Sequence, residues 1–134
     1  MIDYDALISC AVQARELSYS PYSRFSVGCA VLCGDGSIYT GCNIENASFS
    51  ETVCAERTAI FKAVSQGNRG FVAIAIVGGG EKIEGFTYPC GACRQVMSEF
   101  FARDTEIILF DGKEKKILTL GELLPNSFNK ESLS

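Results

Sequence analysis

The chain has no histidine among its 134 residues. A transition-metal site here has to be assembled from cysteine and carboxylate side chains, because the commonest metal ligand is missing. Basic charge is also short: 12 lysines and arginines stand against 16 acidic residues, a net charge of -4. That balance argues against a nucleic-acid surface, which normally carries a clustered basic patch. No apolar run approaches the roughly 20 residues of a membrane span. Met1-Ile2-Asp3-Tyr4-Asp5 shows no basic stretch leading into an apolar core, so no secretory signal is predicted. No internal repeat, low-complexity tract or linker divides the sequence. A chain of this size suits a single domain over residues 1–134, which buries roughly two-thirds of its unfolded surface. The expectation is a soluble cytoplasmic protein whose partners are small molecules, with neither nucleic acid nor membrane involved.

Cysteine, by contrast, is plentiful: there are seven. The number is odd, and Cys10, Cys29, Cys33 and Cys42 lack the regular spacing of a disulfide framework. They read as reduced thiols that fill the core. The other three fall in Cys54-Ala55-Glu56 and Pro89-Cys90-Gly91-Ala92-Cys93. Three thiolates supply a zinc ion with three ligands and leave its fourth position open, the pattern of a catalytic site; structural zinc usually takes four protein ligands. Glu56, two residues beyond the first ligand, is placed to move protons beside a zinc-activated water.

Hydrophobic patterning organises the rest. Asp3 predicts an N-cap, with Leu7, Cys10, Ala14 and Leu17 at helical spacing before the Ser20-Pro21-Tyr22-Ser23 break. Val27 to Cys33 and Ser37 to Cys42 read as strands joined by an Asp35-Gly36 hairpin. Asn43 to Val53 is polar and aperiodic. A helix is predicted from about Cys54 to Gln66, closed by Gly67-Asn68, then an apolar central strand from Phe71 to Val77. Gly78-Gly79-Gly80 opens a loop to Pro89. A helix from about Gly91 to Ala102, strands at Glu106 to Phe110 and near Lys116 to Leu118, and a helical turn at Leu120 to Leu124 complete the pattern. Strands separated by helices predict an α/β sandwich with a mixed sheet, and the crossovers through the two cysteine-bearing helices favour parallel pairing.

Both cysteine motifs open helices, whose positive dipole ends favour thiolate over thiol. Cys90 and Cys93 share one helix face at a spacing of three. Three thiolates outweigh one dication, so an all-cysteine site needs positive charge nearby if its water is to ionise. Arg57 and Arg94 directly follow Glu56 and Cys93 and are expected to hydrogen-bond the ligand sulfurs, with Gln95 beside them. A lone Cys-x-x-Cys would equally suit a redox dithiol or half of a structural zinc site. The Cys-x-Glu, the proline before Cys90 and the lack of any obvious fourth ligand favour catalytic zinc. On local grounds alone Asn43 and Glu45 read as solvated loop residues, and Phe25 as a core phenylalanine.

These residues also resemble a known family. Ser20-Pro21-Tyr22-Ser23, Phe25-Ser26-Val27-Gly28, Gly41-Cys42-Asn43-Ile44-Glu45-Asn46, Cys54-Ala55-Glu56-Arg57-Thr58-Ala59, Pro89-Cys90-Gly91-Ala92-Cys93-Arg94-Gln95 and Glu122-Leu123-Leu124-Pro125 match, in order, the small homotetrameric cytidine deaminases with three cysteine ligands. The zinc nucleobase deaminases share a His- or Cys-x-Glu motif, a later Pro-Cys-x-x-Cys and a glutamate that shuttles protons. The resemblance spans nearly the whole chain. It implies a three-layer α/β/α sandwich around a five-stranded mixed sheet. It also implies one zinc per subunit on Cys54, Cys90 and Cys93, and hydrolytic deamination of cytidine and 2′-deoxycytidine in pyrimidine salvage. By the same resemblance Glu56 carries protons to N3 and the leaving ammonia, and Asn43 and Glu45 bind the ribose 3′-hydroxyl. Phe25 and Ala55 lie against the nucleoside, and Phe49 and Phe128 reach into a neighbouring subunit's site. An acidic chain without a phosphate cradle points to nucleosides rather than nucleotides. A deaminase of an aminonucleoside such as blasticidin S would share the zinc motifs without needing the Asn43–Glu45 pair. Deaminases of deoxycytidylate or of transfer-RNA adenosine usually begin their ligand set with a histidine. A non-catalytic zinc scaffold would have no use for Glu56.

Overall fold

A computed structural model describes residues 1–134. Helix α1 (Tyr4–Arg15) precedes the hairpin of β1 (Ser26–Cys33) and β2 (Ile38–Cys42). Then follow α2 (Ala55–Ser65), β3 (Phe71–Gly79), α3 (Gly91–Phe100), β4 (Glu106–Phe110), β5 (Lys115–Thr119) and the short α4 (Leu120–Leu123). The five strands form one sheet in the order β2-β1-β3-β4-β5. Only β3 and β4 pair in parallel; the other neighbours are antiparallel. The crossover through α3 therefore joins adjacent parallel strands, as expected. The crossover through α2 differs. It carries the chain from β2 over β1 to β3, so the strands it connects run the same way but have β1 between them.

Strand alternation sorts the side chains into two cores. Val27, Cys29, Val31, Ile74, Ile76, Ile107 and Leu109 face α2 and α3, where Ala59, Ile60, Cys93 and Met97 meet them. Ala30, Ala73, Ala75, Val77 and Ile108 face Leu7, Ile8 and Ala11 of α1. Two helices lie on one face and one on the other, which makes three layers around a mixed sheet. Small residues on the α1 face let that helix approach closely. The buried stripe of α1 is Leu7, Ile8, Ala11, Ala14 and Arg15. Leu17, predicted to extend it, lies beyond the helix end and is exposed.

Strand β3 also outruns its expected end. Gly78 and Gly79 stay in the ladder opposite Val27 and Ser26. A Cβ on Gly79 would collide with the Lys82 carbonyl, and one on Gly78 with the Thr87 hydroxyl. These glycines mark the place where the following loop folds back over the strand, not where the strand stops. Gly41 on β2 has the same function against α2: a Cβ there would lie 2.5 Å from the Ala59 nitrogen and 2.6 Å from the Ala55 carbonyl. Its absence lets the start of α2 settle onto the sheet. No helix is long and apolar enough to cross a membrane.

Candidate metal centre and nucleoside cleft

Cys54 is the N-cap of α2 and Cys90 the N-cap of α3, both in extended backbone conformation. Neither side chain caps its own helix. The thiols turn toward each other instead, with 3.7 Å between their Sγ atoms. Cys93, in the first turn of α3, completes the cluster, and the three sulfurs lie within 4.8 Å of one another. Cys90 and Cys93 thus share a helix start, with Cys90 just outside the helix proper. Zinc–sulfur bonds of about 2.3 Å in a tetrahedral site place ligand sulfurs roughly 3.8 Å apart, so this donor set fits a zinc ion. Cys42 takes no part; its thiol points to the Leu17 carbonyl at 3.4 Å. All seven cysteines are unpaired.

Charge around the sulfurs is uneven. Arg57 donates from Nη2 to Cys54 Sγ at 3.4 Å. Hydrogen bonds from Cys93, then from Arg57 and Cys90, pull Cys54 down to about 5 against the opposing effect of burial. Cys93 is pushed the other way, because its proton is held by Cys54 and the site is buried. Glu56 is 3% exposed. Burial first, and the charge on Cys54 after it, raise its carboxyl to about 7, so it holds or releases a proton near neutrality. Ala55, between them, is fully buried.

Arg94 departs from expectation. Its guanidinium does not reach the sulfurs: Nε donates to the Pro89 carbonyl at 2.8 Å and Nη1 to the Leu123 carbonyl at 2.7 Å. The side chain follows the outer side of α3, where the nearest acceptors are the backbone leading into Cys90 and the end of α4. It braces the backbone leading into Cys90, and Arg57 is the arginine that reaches a sulfur. Gln95 likewise faces away, donating to the Phe128 carbonyl at 2.7 Å.

Glu45 lines a second feature, and Asn43 lies two residues before it in the chain. Asn43 is buried, and its Oδ1 accepts from the Val27 N–H at 2.9 Å and from the Ser18 hydroxyl. Its Nδ2 donates to the Phe25 carbonyl at 2.8 Å. Glu45 accepts from the Tyr22 and Ser23 N–H groups at 2.9 and 3.1 Å, and from the Ser23 hydroxyl. Led by the Ser23 hydroxyl, these bonds hold its carboxyl below the usual carboxylate range. Tyr22, Ser23, Glu45, Phe49 and Thr52 line a cleft of about 410 Å³. Phe49 stands edge-on to Tyr22, with 5.7 Å between ring centroids, and is 71% exposed. Phe25 is partly exposed and lies over Gly78, and Phe128 is exposed in the tail. The partners Ser18, Ser23 and Tyr22 escaped sequence reasoning as site residues. Only Tyr22 and Ser23 had a visible signal, the Pro-Tyr-Ser break.

Fold and site together define a cluster of three cysteines, able to hold a metal ion, at paired helix N-termini on a mixed α/β sheet. A family model described as the cytidine and deoxycytidylate deaminase zinc-binding region matches residues 1–109. A cytidine deaminase of Sporosarcina psychrophila is 50% identical over 134 residues, covering 99% of this chain and 96% of that protein. One of Halalkalibacterium halodurans is 50% identical and covers 99% of both. The crystal structure of cytidine deaminase from Burkholderia pseudomallei superposes with a TM-score of 0.88 at 45% identity, over 95% of this chain and 100% of that one. The chain belongs to the cytidine and deoxycytidylate deaminase family.

Proposed function

We infer that the protein is a zinc-dependent hydrolase converting cytidine and 2′-deoxycytidine, with water, to uridine and 2′-deoxyuridine plus ammonia. The observation that carries this reading is the convergence of three thiols beside a buried Glu56 whose carboxyl is raised to about 7. Cys54, Cys90 and Cys93 would hold one zinc per subunit. The ion, when bound, lowers the pKa of a water and makes it a nucleophile at neutral pH. Glu56 would take one proton from the attacking water and deliver it to N3 as C4 is attacked, then take the second from the new C4 hydroxyl and pass it to the departing amine, leaving the C4 carbonyl and ammonia. Arg57 offsets the excess negative charge of the thiolates through Cys54.

The sugar is held at the cleft. Both lone pairs of Asn43 Oδ1 and one Nδ2 hydrogen are committed inside the chain, which leaves one N–H to donate. The ionised Glu45 can only accept. A donor and an acceptor side by side satisfy one hydroxyl, the 3′-hydroxyl in this reading. Phe25 and Ala55 lie on the base side. Phe49 and Phe128, both exposed in one chain, complete the site of a neighbouring subunit in a homotetramer. Residues 1–134 act as one domain, and seven unpaired thiols support a cytoplasmic enzyme of pyrimidine salvage.

The test is loss of the cytosine ultraviolet absorbance on mixing purified protein with cytidine, repeated after zinc extraction and with Glu56→Gln. Extraction should abolish turnover. The variant should keep its zinc and lose on the order of 10³-fold or more in kcat. Wild-type rates in Glu56→Gln would remove the proton shuttle.

A further inference from the structure

Arg15, the last residue of α1, is buried, with 8% of its surface exposed. No carboxylate pairs with it; the chain's one ion pair joins Lys115 to Asp5. A buried cation without an anion is unfavourable unless other groups solvate it. Here three backbone carbonyls do so. Nε donates to Ser26 at 3.0 Å, and Nη2 to Gly79 at 2.9 Å and Gly80 at 2.5 Å.

Those carbonyls share one location. Ser26 and Gly79 are ladder partners at the joined ends of β1 and β3, and Gly80 begins the loop that folds back over them. Phe25 directly precedes Ser26, and its ring lies over Gly78, 3.1 Å from where a Cβ would stand. Asn43 grips the same segment, taking the Val27 N–H and donating to the Phe25 carbonyl. Three consecutive residues, 25 to 27, are thus held by Asn43 and Arg15 alternately. The turn after α1 adds to the same knot: Ser18 donates to Asn43 Oδ1, and the hydroxyls of Ser20 and Ser26 lie 3.0 Å apart.

We propose that Arg15 is a positioning residue for nucleoside binding, acting through residues 25–27 to hold the Phe25 ring and the Asn43 amide in place. This rests on the reading of Phe25 and Asn43 as nucleoside-facing. The guanidinium fork is the reason for arginine here. One planar group reaches both strand ends, whereas a lysine ammonium is a single point of charge on a flexible stem.

The test compares Arg15→Met and Arg15→Lys with wild type for kcat and KM on cytidine, zinc content and Tm. Losing hydrogen bonds from a charged donor should raise KM by on the order of 10-fold in Arg15→Met. Arg15→Lys should restore part of it. Zinc should stay bound and kcat should move by no more than about 3-fold. A fall in Tm with KM unmoved would make Arg15 a fold-stabilising residue only and overturn the proposal. If Arg15→Met does not fold, Arg15→Lys decides, and a wild-type KM in it overturns the proposal equally. Asn43→Ala, measured alongside, separates the two readings: an unmoved KM there removes the sugar role of Asn43, while Arg15 is judged on its own KM.

Discussion

Glu45 illustrates how local hydrogen bonds hold a single side chain in its charged form. Its carboxylate accepts from the Ser23 hydroxyl and from two backbone N–H groups, all of which stabilise the charged form. A carboxyl whose pKa is depressed stays ionised as pH falls through the ordinary carboxylate range, and protonates only below it. KM for cytidine should therefore show no carboxylate titration from Glu45 between neutrality and about pH 4.5. In Ser23→Ala the main depressing bond is gone, so the rise in KM should begin at higher pH. Steady-state KM measured across that range in both proteins checks it, and identical profiles would refute the role given to Ser23. Glu56 has the opposite history. Burial raises its carboxyl toward neutrality, where a group can both accept and return a proton. Two carboxyls eleven residues apart thus sit on opposite sides of their usual value, and the difference lies in hydrogen bonding against burial.

At the scale of elements, the three-cysteine cluster is a property of two helix starts. Cys54 and Cys90 hold the N-cap position, where serine, threonine, aspartate or asparagine would usually satisfy the helix. Thiols cap poorly, so their sulfurs are free for a metal. The two helices must also be close enough, and for α2 this depends on Gly41. Gly41→Ala places a methyl group against backbone atoms of Ala55 and Ala59, which no side-chain rotation relieves. We expect a loss of about 1–3 kcal/mol or more from this overpacking. That corresponds to a Tm several degrees lower. Zinc affinity should fall too, since the displaced turn carries Cys54 and Glu56. Calorimetry and metal analysis of the variant test both, and wild-type values for each would show that α2 tolerates the shift. Strand β3 teaches a related lesson. Three successive glycines look like a loop, yet two of them stay in the sheet because a returning segment leaves no room for side chains.

The whole molecule leaves several large apolar side chains in solvent. Phe49, Phe128, Phe61 and Tyr22 are 71%, 63%, 48% and 48% exposed in the single chain. Aromatic exposure on this scale, at a cleft and in a tail, suits burial between subunits. The proposed homotetramer predicts that light scattering reports four times the chain mass, and that Phe128→Ala raises KM while leaving zinc in place. A fully active monomer would remove the neighbouring-subunit roles of Phe49 and Phe128. The tail itself is more ordered than its polarity suggests. Gln95 holds the Phe128 carbonyl, and Lys130–Leu133 forms a 3-10 turn capped by Asn129.

The chemistry was legible in the sequence because it is local. Glu56 lies two residues from Cys54, Cys93 three from Cys90, and both motifs open helices whose patterns are clear; the apolar runs of β1, β3 and β4 were equally plain. Arg57 could be inferred for the same reason, being one turn from the sulfur it contacts. What needed the tertiary structure were relations between distant segments. Cys54 and Cys90 are 36 residues apart and meet only because both crossovers lay their helices on one face of the sheet. Arg94 has the same sequence relation to Cys93 as Arg57 to Glu56, yet its acceptors are the Pro89 and Leu123 carbonyls. Nothing in the sequence marks Arg15, and its three carbonyl partners, on β1, on β3 and in the loop after it, lie 11 to 65 residues away. Local spacing sets which groups a chain can offer a metal or a proton. Where a long side chain finds its partner is decided by how the elements pack, because its donors extend to whichever buried acceptors the fold leaves unpaired.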